Sequence, residues 1–306
     1  MNTGYTPSDP RDVEAHYEAL RSFAPGVYGA SLDSEDVVRQ LRGSGKGKLS
    51  MPFLHKRRLT PNAGEEFQTT GDCTSHMARN VADTTRAYDI LVKGEPEQWI
   101  AQGATEYLYG ARRHGGQGMA PITCIQFLFN CGMLLRQKYK FADLSKYNGD
   151  LGASWGSRWA QSGVPEEIAS EASKSPFAFT TRVTSLEDAR DLLANGYGVG
   201  GGFYVWLSKE RDARGVSRTM GTTAHAVEIG GVDDTGREPL WLVNNCHWLG
   251  WVKGPHPAWG QLPVGCTMAR SDFILDAINR GDLWAVGGAT GFPPQRIEDY
   301  GTGEFL

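Results

Sequence analysis

The amino-acid sequence predicts an α+β fold in which a mainly helical half precedes a mainly antiparallel β half. In the first half, apolar residues recur at helical spacing around residues 77–92 and within 99–109 and 121–139. In the second half, runs rich in β-branched and aromatic residues alternate with glycine turns, which predicts strands at 199–207, 224–232, 239–244, 266–273 and 283–287. A turn at 233–236 suggests that two of these strands form a hairpin. We expect a functional cleft between the two halves.

The chain divides by composition into an arm, a domain and a tail. The polar arm spans residues 1–49, with short helices predicted at Asp12–Phe23 and Ser34–Leu41, and is interpreted as a docking arm or a short inhibitory pro-segment. The domain spans 50–290, and residues 141–182 within it are rich in Gly, Ser and Trp, which favours a loop-rich cleft wall. The boundaries predicted from these patterns are 50–182 for the helical half, 183–290 for the β half and 291–306 for the tail.

Composition excludes several classes of function. A chain of 306 residues with 40% hydrophobic and 22% charged residues is typical of a globular protein with a sizeable core. Its formal net charge of −4 gives no electrostatic signature of nucleic-acid or membrane binding, and no apolar run is long enough for a membrane span. The first residues lack the pattern of a signal peptide. We therefore expect a cytoplasmic protein or a component of an assembly.

The first candidate for chemistry is Cys73, which follows a glycine turn and opens a predicted helix. The helix N-terminus presents a positive dipole end and unpaired N–H groups, and this environment favours thiolate. Gln68, five residues upstream, is a candidate oxyanion donor. Asp72 opposes this effect because a neighbouring carboxylate disfavours a second negative charge. A cysteine considered alone is more often a small core residue than a nucleophile.

Two later segments favour the nucleophile interpretation. His225 lies at the start of a predicted strand that ends in glycines, and Asn244 and Asn245 end another strand. Cysteine, histidine and asparagine in this chain order, each at the edge of a regular element, form the set that a thiol hydrolase needs.

These segments resemble the papain family of cysteine peptidases over about residues 50–290. The family's Gln and Gly-x-Cys helix start matches Gln68 and Gly71-Asp72-Cys73, its His-Ala-Val strand matches 225–227, and its Asn-Ser-Trp strand end matches 241–246. A weaker match is Asp150–Gly156, which resembles the glycine-rich segment that binds the substrate backbone. The order of these motifs is specific, although each motif alone is degenerate.

The resemblance implies a papain-like α+β fold, with a long catalytic helix in the helical half and an antiparallel, β-barrel-like second half. It also implies a cysteine-type peptidase, no cofactor and a polypeptide substrate. It implies that Cys73 is the nucleophile, His225 the acid and base, Asn245 the orienting residue and Gln68 the oxyanion donor, with Asn244 a rival for the orienting role. Substrate-binding positions would be Gly156, Trp155, Ala224 and Trp248, and Trp248 or Trp251 would shield the His–Asn pair.

Two other functions stay open at this point. A papain-like scaffold without strong catalysis would use the arm and tail for assembly contacts, including a partner that docks on the N-terminal arm. A metal site built from Cys246, His247, His256 and Cys266 is disfavoured because the spacing fits no compact zinc arrangement. The sequence is compatible with peptidase, isopeptidase or transferase activity, and it does not identify the side chain that a substrate would present.

Overall fold

The computed structural model describes residues 4–22, 34–60, 66–92, 101–177, 179–246, 250–258, 260–262 and 264–288. These residues form ten helices and seven strands. In chain order the elements are α1 (Pro10–Ser22), α2 (Ser34–Leu41), β1 (Leu49–Ser50), α3 (Phe53–Leu59), α4 (Cys73–Leu91), α5 (Thr105–Gly110), α6 (Pro121–Cys131), α7 (Gly149–Ser162), α8 (Glu166–Ala172), β2 (Phe179–Arg182), α9 (Leu186–Leu193), β3 (Gly198–Arg211), β4 (Val216–Asp233), β5 (Leu240–Asn244), β6 (Cys266–Ala269), α10 (Ser271–Arg280) and β7 (Leu283–Gly287).

The predicted α+β fold is confirmed. One sheet runs in the order β2-β7-β3-β4-β5-β6, with β1 also pairing with β4. The pairs along this order are antiparallel, and β4 and β5 form the hairpin expected from the turn at 233–236. The sheet is open, so the barrel-like closure expected for the β half is not seen.

Helix α4 packs along one face of this sheet because β3 offers a row of glycines. Gly198 and Gly200 point the same way on the strand, and a Cβ at either position would overlap α4, at Val81 and at Met77 with Val81 respectively. The helix axis therefore lies close to the sheet and carries Cys73, its first residue, toward β4.

The helical half differs from prediction in its boundaries. The segment expected to be a loop-rich wall at 141–182 instead contains α7, α8 and β2, so that expectation is wrong. Helix α6 ends at Cys131, earlier than predicted, because Gly132 has φ 76° and turns the chain away. Of the helix predicted at 99–109, only α5 is observed among the described residues from 101 onward.

The predicted helices of the arm are observed at Pro10–Ser22 and Ser34–Leu41. Residues 4–8 and α1 pack on the rest of the chain: His16 Nε2 lies 2.7 Å from Thr180 Oγ1, and Tyr17 Oη accepts from the Arg182 N–H at 2.7 Å. Docking of this arm on another protein stays a prediction. The predicted tail lies outside the described residues.

A buried ionic cluster lies between α3, α4 and the sheet. Lys56 Nζ contacts Glu228 Oε2 at 2.7 Å, Asn244 Nδ2 donates to the same oxygen at 2.7 Å, and the Thr84 hydroxyl donates to the other carboxylate oxygen. Lys56 also donates to the Asn80 backbone carbonyl at 3.2 Å. We call Lys56, Asn80, Thr84, Glu228 and Asn244 the Lys56–Glu228 cluster.

Across the described ranges, no helix has the length and apolar character needed to cross a membrane.

Candidate active site

Cys73 occupies the first position of α4 and is fully buried. Asp72 precedes the helix, and the Ser75 and His76 N–H groups donate to its backbone carbonyl. The Ala226 backbone N–H of β4 donates toward the Cys73 sulfur, which fixes the contact between the helix tip and that strand. Burial raises the pKa of the Cys73 thiol to about 12, and the Asp72 carboxylate adds to the rise, whereas the Ala226 N–H lowers it. The thiol is therefore neutral in this conformation, contrary to the expectation drawn from the helix N-terminus alone.

His225, on β4, and Asn245, directly after β5, form a hydrogen-bonded pair. His225 Nε2 lies 2.8 Å from Asn245 Oδ1, and both side chains are only 1% exposed. An amide oxygen only accepts, so Nε2 carries the proton and Nδ1 is the basic nitrogen of the neutral ring. His225 directly precedes Ala226, which contacts Cys73. The structure thus brings Cys73, His225 and Asn245 into one buried neighbourhood.

The two consecutive asparagines have different partners. Asn244 donates to Glu228 within the Lys56–Glu228 cluster, and its Oδ1 accepts from the Cys266 thiol at 3.6 Å. Asn245 contacts His225. Successive residues of an extended strand point in opposite directions, which separates the two amides. Of the two candidates for the orienting role, the geometry favours Asn245.

A tryptophan that the sequence analysis did not select lies against the histidine. The Trp206 ring meets the His225 ring edge-on, with centroids 5.0 Å apart at 79°. Trp251 packs on Trp206 at 5.4 Å and donates its indole N–H to the Gly265 carbonyl at 2.8 Å. The shield predicted for Trp251 is thus indirect, and Trp248 lies outside the described residues. The sequence signal for this contact was the position of Trp206 on β3, the strand that pairs with the strand carrying His225.

Gln68 lies in the turn before Cys73 and hydrogen-bonds Cys246, which follows β5. Its backbone N–H donates to the Cys246 carbonyl at 3.0 Å, and its Oε1 accepts from the Cys246 thiol at 3.5 Å. Its side-chain Nε2 donates to the Thr70 carbonyl at 3.0 Å. Gln68 is half-buried near the turn that delivers Cys73, and its oxyanion role stays a prediction.

Trp155 and Gly156, which were predicted to bind substrate, lie inside α7, where backbone groups serve the helix. Trp155 is buried and stacks on Trp159 at 5.2 Å, and a Cβ at Gly156 would overlap the Arg112 guanidinium. The absent side chain of this glycine therefore admits an arginine into the helical core, and the substrate role of both residues stays a prediction. Ala224 is half-buried beside His225, and its substrate role stays a prediction.

A different glycine-rich loop, residues 115–118, lies against the turn that precedes Cys73. Gln117 Oε1 accepts from the Gly71 N–H at 2.5 Å and from the Thr70 hydroxyl at 2.9 Å. The Gly118 N–H donates to the Gly71 carbonyl at 3.2 Å. This loop was not predicted to lie at the site, although the run Gly115-Gly116-Gln117-Gly118 was an available signal.

A second polar group surrounds Asp72, the residue before Cys73. Tyr147 donates to Asp72 Oδ2 at 2.7 Å, and His76 Nε2 lies 3.6 Å from the same oxygen. Burial raises the pKa of Asp72 to about 7 and lowers the pKa of His76 to about 3. Near neutral pH the charge beside Cys73 is therefore variable.

No group of three or more His, Cys, Asp or Glu side chains that could hold a metal ion occurs within the part of the chain that the structure describes. Of the four residues considered for a metal site, His247 lies outside that part. Cys266 instead hydrogen-bonds Asn244, and His256 Nδ1 accepts from the Leu262 N–H at 3.0 Å.

The fold is similar to that of solved cysteine proteases. Xylellain, a cysteine protease from Xylella fastidiosa, superposes with a TM-score of 0.51 at 17% identity over 94% of this chain and 96% of its own. Procathepsin B S9 from Trypanosoma congolense gives a TM-score of 0.47 at 15% identity over 80% of this chain and 78% of its own. No protein-family model matches the sequence, and no curated protein matches it. The similarity to xylellain shows that the chain has a papain-like fold.

Proposed function

We propose that this protein is a papain-like cysteine hydrolase that cleaves peptide bonds in polypeptides. The observation that carries the proposal is the His225–Asn245 hydrogen bond beside Ala226, whose N–H meets the Cys73 sulfur. The hydrogen bond from His225 Nε2 to Asn245 sets the tautomer of the neutral imidazole, so that Nδ1 is the basic nitrogen that exchanges a proton. A histidine oriented in this way next to a thiol is the arrangement that nucleophilic catalysis by cysteine requires.

In the proposed reaction, Cys73 passes its proton to His225 Nδ1, and the sulfur attacks the substrate carbonyl carbon. The negative charge that develops on the carbonyl oxygen is stabilised by the Cys73 backbone N–H and the Gln68 amide. The imidazolium then protonates the leaving amine, the C–N bond breaks and a thioester remains. Water, deprotonated by His225, hydrolyses the thioester and restores the thiol.

Asn245 acts in this proposal by holding the imidazole rather than by touching substrate. The amide oxygen accepts from Nε2 in both the neutral and the cationic ring, and its hydrogen bond is stronger to the cation. Trp206 covers one edge of the ring and limits the access of water to this hydrogen bond.

The test is cleavage of a peptide library, read as new termini by mass spectrometry. Because Gly4 lies against the Gly71 backbone and Tyr5 belongs to the same buried cluster as Cys73, wild type and Tyr5→Ala are both assayed. We expect cleavage by at least one of them, its loss in Cys73→Ala and its retention in Cys131→Ser, a half-buried cysteine at the C-terminal end of α6. Cleavage that survives Cys73→Ala, or none in either parent protein, would overturn the proposal.

The second candidate function is a papain-like scaffold with weak or no catalysis, serving as a binding component. The observation that favours it is the complete burial of Cys73, whose raised thiol pKa keeps the sulfur neutral. A scaffold has no requirement for the His225–Asn245 contact. Absence of cleavage in both parent proteins, together with unaltered stability of the Cys73→Ala variant, would favour the scaffold.

A further inference from the structure

Tyr5 fills the space directly beyond the tip of the catalytic helix. Among the alternate glycines of β3, α4 covers Gly198 and Gly200, whereas a Cβ at Gly202 would overlap the Tyr5 ring. Gly202 pairs in register with Ala226, whose N–H meets the Cys73 sulfur. Tyr5 is 4% exposed and belongs to the same buried cluster as Cys73. Its ring therefore occupies the part of the cleft next to the nucleophile.

The backbone around Tyr5 is held as a short strand. Tyr5 forms a parallel β-bridge with Met119: the Met119 N–H donates to the Gly4 carbonyl at 2.9 Å, and the Thr6 N–H donates to the Met119 carbonyl at 3.2 Å. A Cβ at Gly4 would overlap the Gly71 backbone, so the segment lies on the turn that delivers Cys73. Main-chain pairing of an extended peptide, combined with a pocket for one side chain, is a standard mode of peptide recognition.

The far end of the Tyr5 side chain meets a buried carboxylate that the proposed reaction does not use. The Tyr5 hydroxyl donates to Asp282 Oδ2 at 2.5 Å, and the Ser8 N–H donates to both Asp282 oxygens at 3.2 Å. Asp282 is fully buried. Burying a carboxylate is costly unless donors satisfy it, and residues 4–8 supply these donors, so a peptide that displaced them would have to bring its own.

The walls of this space suit an aromatic ring more than a cation. The Tyr204 ring packs on Tyr5 with centroids 5.3 Å apart, and the missing side chain of Gly202 leaves room for the ring face. The Arg280 guanidinium lies over the other part of this wall, 4.1 Å from the Tyr204 ring centroid. This guanidinium pairs with Asp276 at 3.1 Å and also acts on Asp282, so part of the demand of the Asp282 carboxylate for a cation is already met.

We propose that the space filled by Tyr5 is the side-chain recognition pocket of the cleft, that it takes the phenol of a tyrosine in a polypeptide through Asp282, and that residues 4–8 of this chain occupy it as an internal competitor. The pocket's role in choosing a substrate rests on the proposed function. Its capacity to bind a tyrosyl peptide does not depend on the thiol.

The test is binding of the blocked peptide acetyl-Gly-Tyr-Thr-Pro-Ser-amide, which copies residues 4–8, to full-length protein by calorimetry. We expect saturable binding to Tyr5→Ala and at least tenfold weaker binding to wild type, in which Tyr5 holds the pocket. Replacing tyrosine by phenylalanine in the peptide, or adding Asp282→Asn to Tyr5→Ala, should each weaken binding roughly tenfold, the range for a hydrogen bond to a charged group.

Two controls keep the test decisive. Tyr5→Phe retains the ring and the packing, so it should fold like wild type while binding the peptide more tightly than wild type does. Adding Cys73→Ala to Tyr5→Ala should leave peptide binding unchanged, so a failed hydrolase would not be mistaken for a failed pocket. Equal binding by wild type and both Tyr5 variants, or indifference to the phenol and to Asp282, would overturn the inference.

Discussion

The Lys56–Glu228 cluster and the group formed by Cys73, His225 and Asn245 are both built on β4 and β5 and are both buried, yet their burial is compensated differently. In the first, Lys56 and Glu228 lie 2.7 Å apart, and Asn244 and Thr84 add donors to the carboxylate. Burial lowers the pKa of Lys56, and the Glu228 carboxylate opposes this shift. In the second, burial raises the pKa of the Cys73 thiol to about 12, which favours the neutral sulfur. The first group thus has a partner charge, whereas the thiol of the second is buried neutral.

This difference separates the structural role of the first group from the catalytic role that we propose for the second. Paired charges with several donors fix how α3 and α4 sit on the sheet. In the proposed function the neutral thiol and the oriented imidazole exchange a proton, and neither contributes a charge that stabilises the fold. Substitutions in the first cluster should therefore alter stability most, and substitutions in the second should alter chemistry most.

The largest expected effect is on stability. Glu228→Ala leaves the Lys56 ammonium buried without its carboxylate, and we expect a loss of about 3–5 kcal/mol in the free energy of unfolding. Urea unfolding measures this loss. The paired replacement Lys56→Met with Glu228→Leu removes both charges and should recover most of it. A loss below about 1 kcal/mol for Glu228→Ala would show that the two clusters do not differ as described.

Asp72 gives the next effect, through pH. Its folded pKa is raised by burial to about 7 from an ordinary 3.8, so the folded protein retains a proton that the unfolded chain loses in between. The free energy of unfolding should therefore fall as pH rises from about 4 to 7, with a slope of at most about 1.4 kcal/mol per pH unit from this group. Asp72→Asn should flatten that part of the curve. Parallel stability curves for the two proteins would contradict the raised pKa.

The two asparagines sharpen the comparison further. Asn245→Ala removes the acceptor from His225 and should reduce alkylation of Cys73 at pH 6 by roughly tenfold in the Tyr5→Ala background, because a hydrogen bond to the imidazolium is lost. Asn244→Ala is the matched control. It should lower the free energy of unfolding by about 1–3 kcal/mol, because the buried Glu228 carboxylate loses a hydrogen-bond donor, and it should change alkylation little. Reversed effects would assign the orienting role to Asn244.

The smallest effect concerns Trp206. Trp206→Leu removes the edge-on contact with His225, a type of contact worth about 0.5–1.5 kcal/mol, and should slow alkylation of Cys73 by a few-fold. Trp241→Phe is a control on β5, where the indole N–H donates to the Ser271 hydroxyl at 3.1 Å, and should affect stability alone. An unchanged rate in Trp206→Leu would show that the ring packs on His225 without protecting it.

The sequence predicted those parts of the fold and site that rest on local pattern. The helix after Cys73 follows from its apolar spacing, and the strands carrying His225 and Asn244 follow from β-branched runs between turns. The strand end offered two consecutive asparagines for the orienting role. The sequence did not decide between them, because the choice depends on the contact of Asn244 with Glu228 on a neighbouring strand.

The errors lie where distant residues decide. Asp150–Gly156 has the composition of a loop, but Asn148 caps the helix by accepting from the Leu151 N–H, and Arg112 fills the space at Gly156. Tyr5 and Asp282 are 277 positions apart in the chain, so no local pattern links them. The neutral state of Cys73 likewise follows from burial by remote segments, which a motif does not encode.

The most direct test of the central claim is the rate of Cys73 alkylation by iodoacetamide from pH 4 to 9, followed on the Cys73 peptide by mass spectrometry. It is measured in Tyr5→Ala and in Tyr5→Ala with His225→Ala. If Cys73 and His225 form a nucleophile–base pair, labelling in the first protein persists below pH 7, and His225→Ala removes it there. Labelling that rises only near the ordinary thiol pKa of about 8.5, with the same profile in both proteins, would contradict the account.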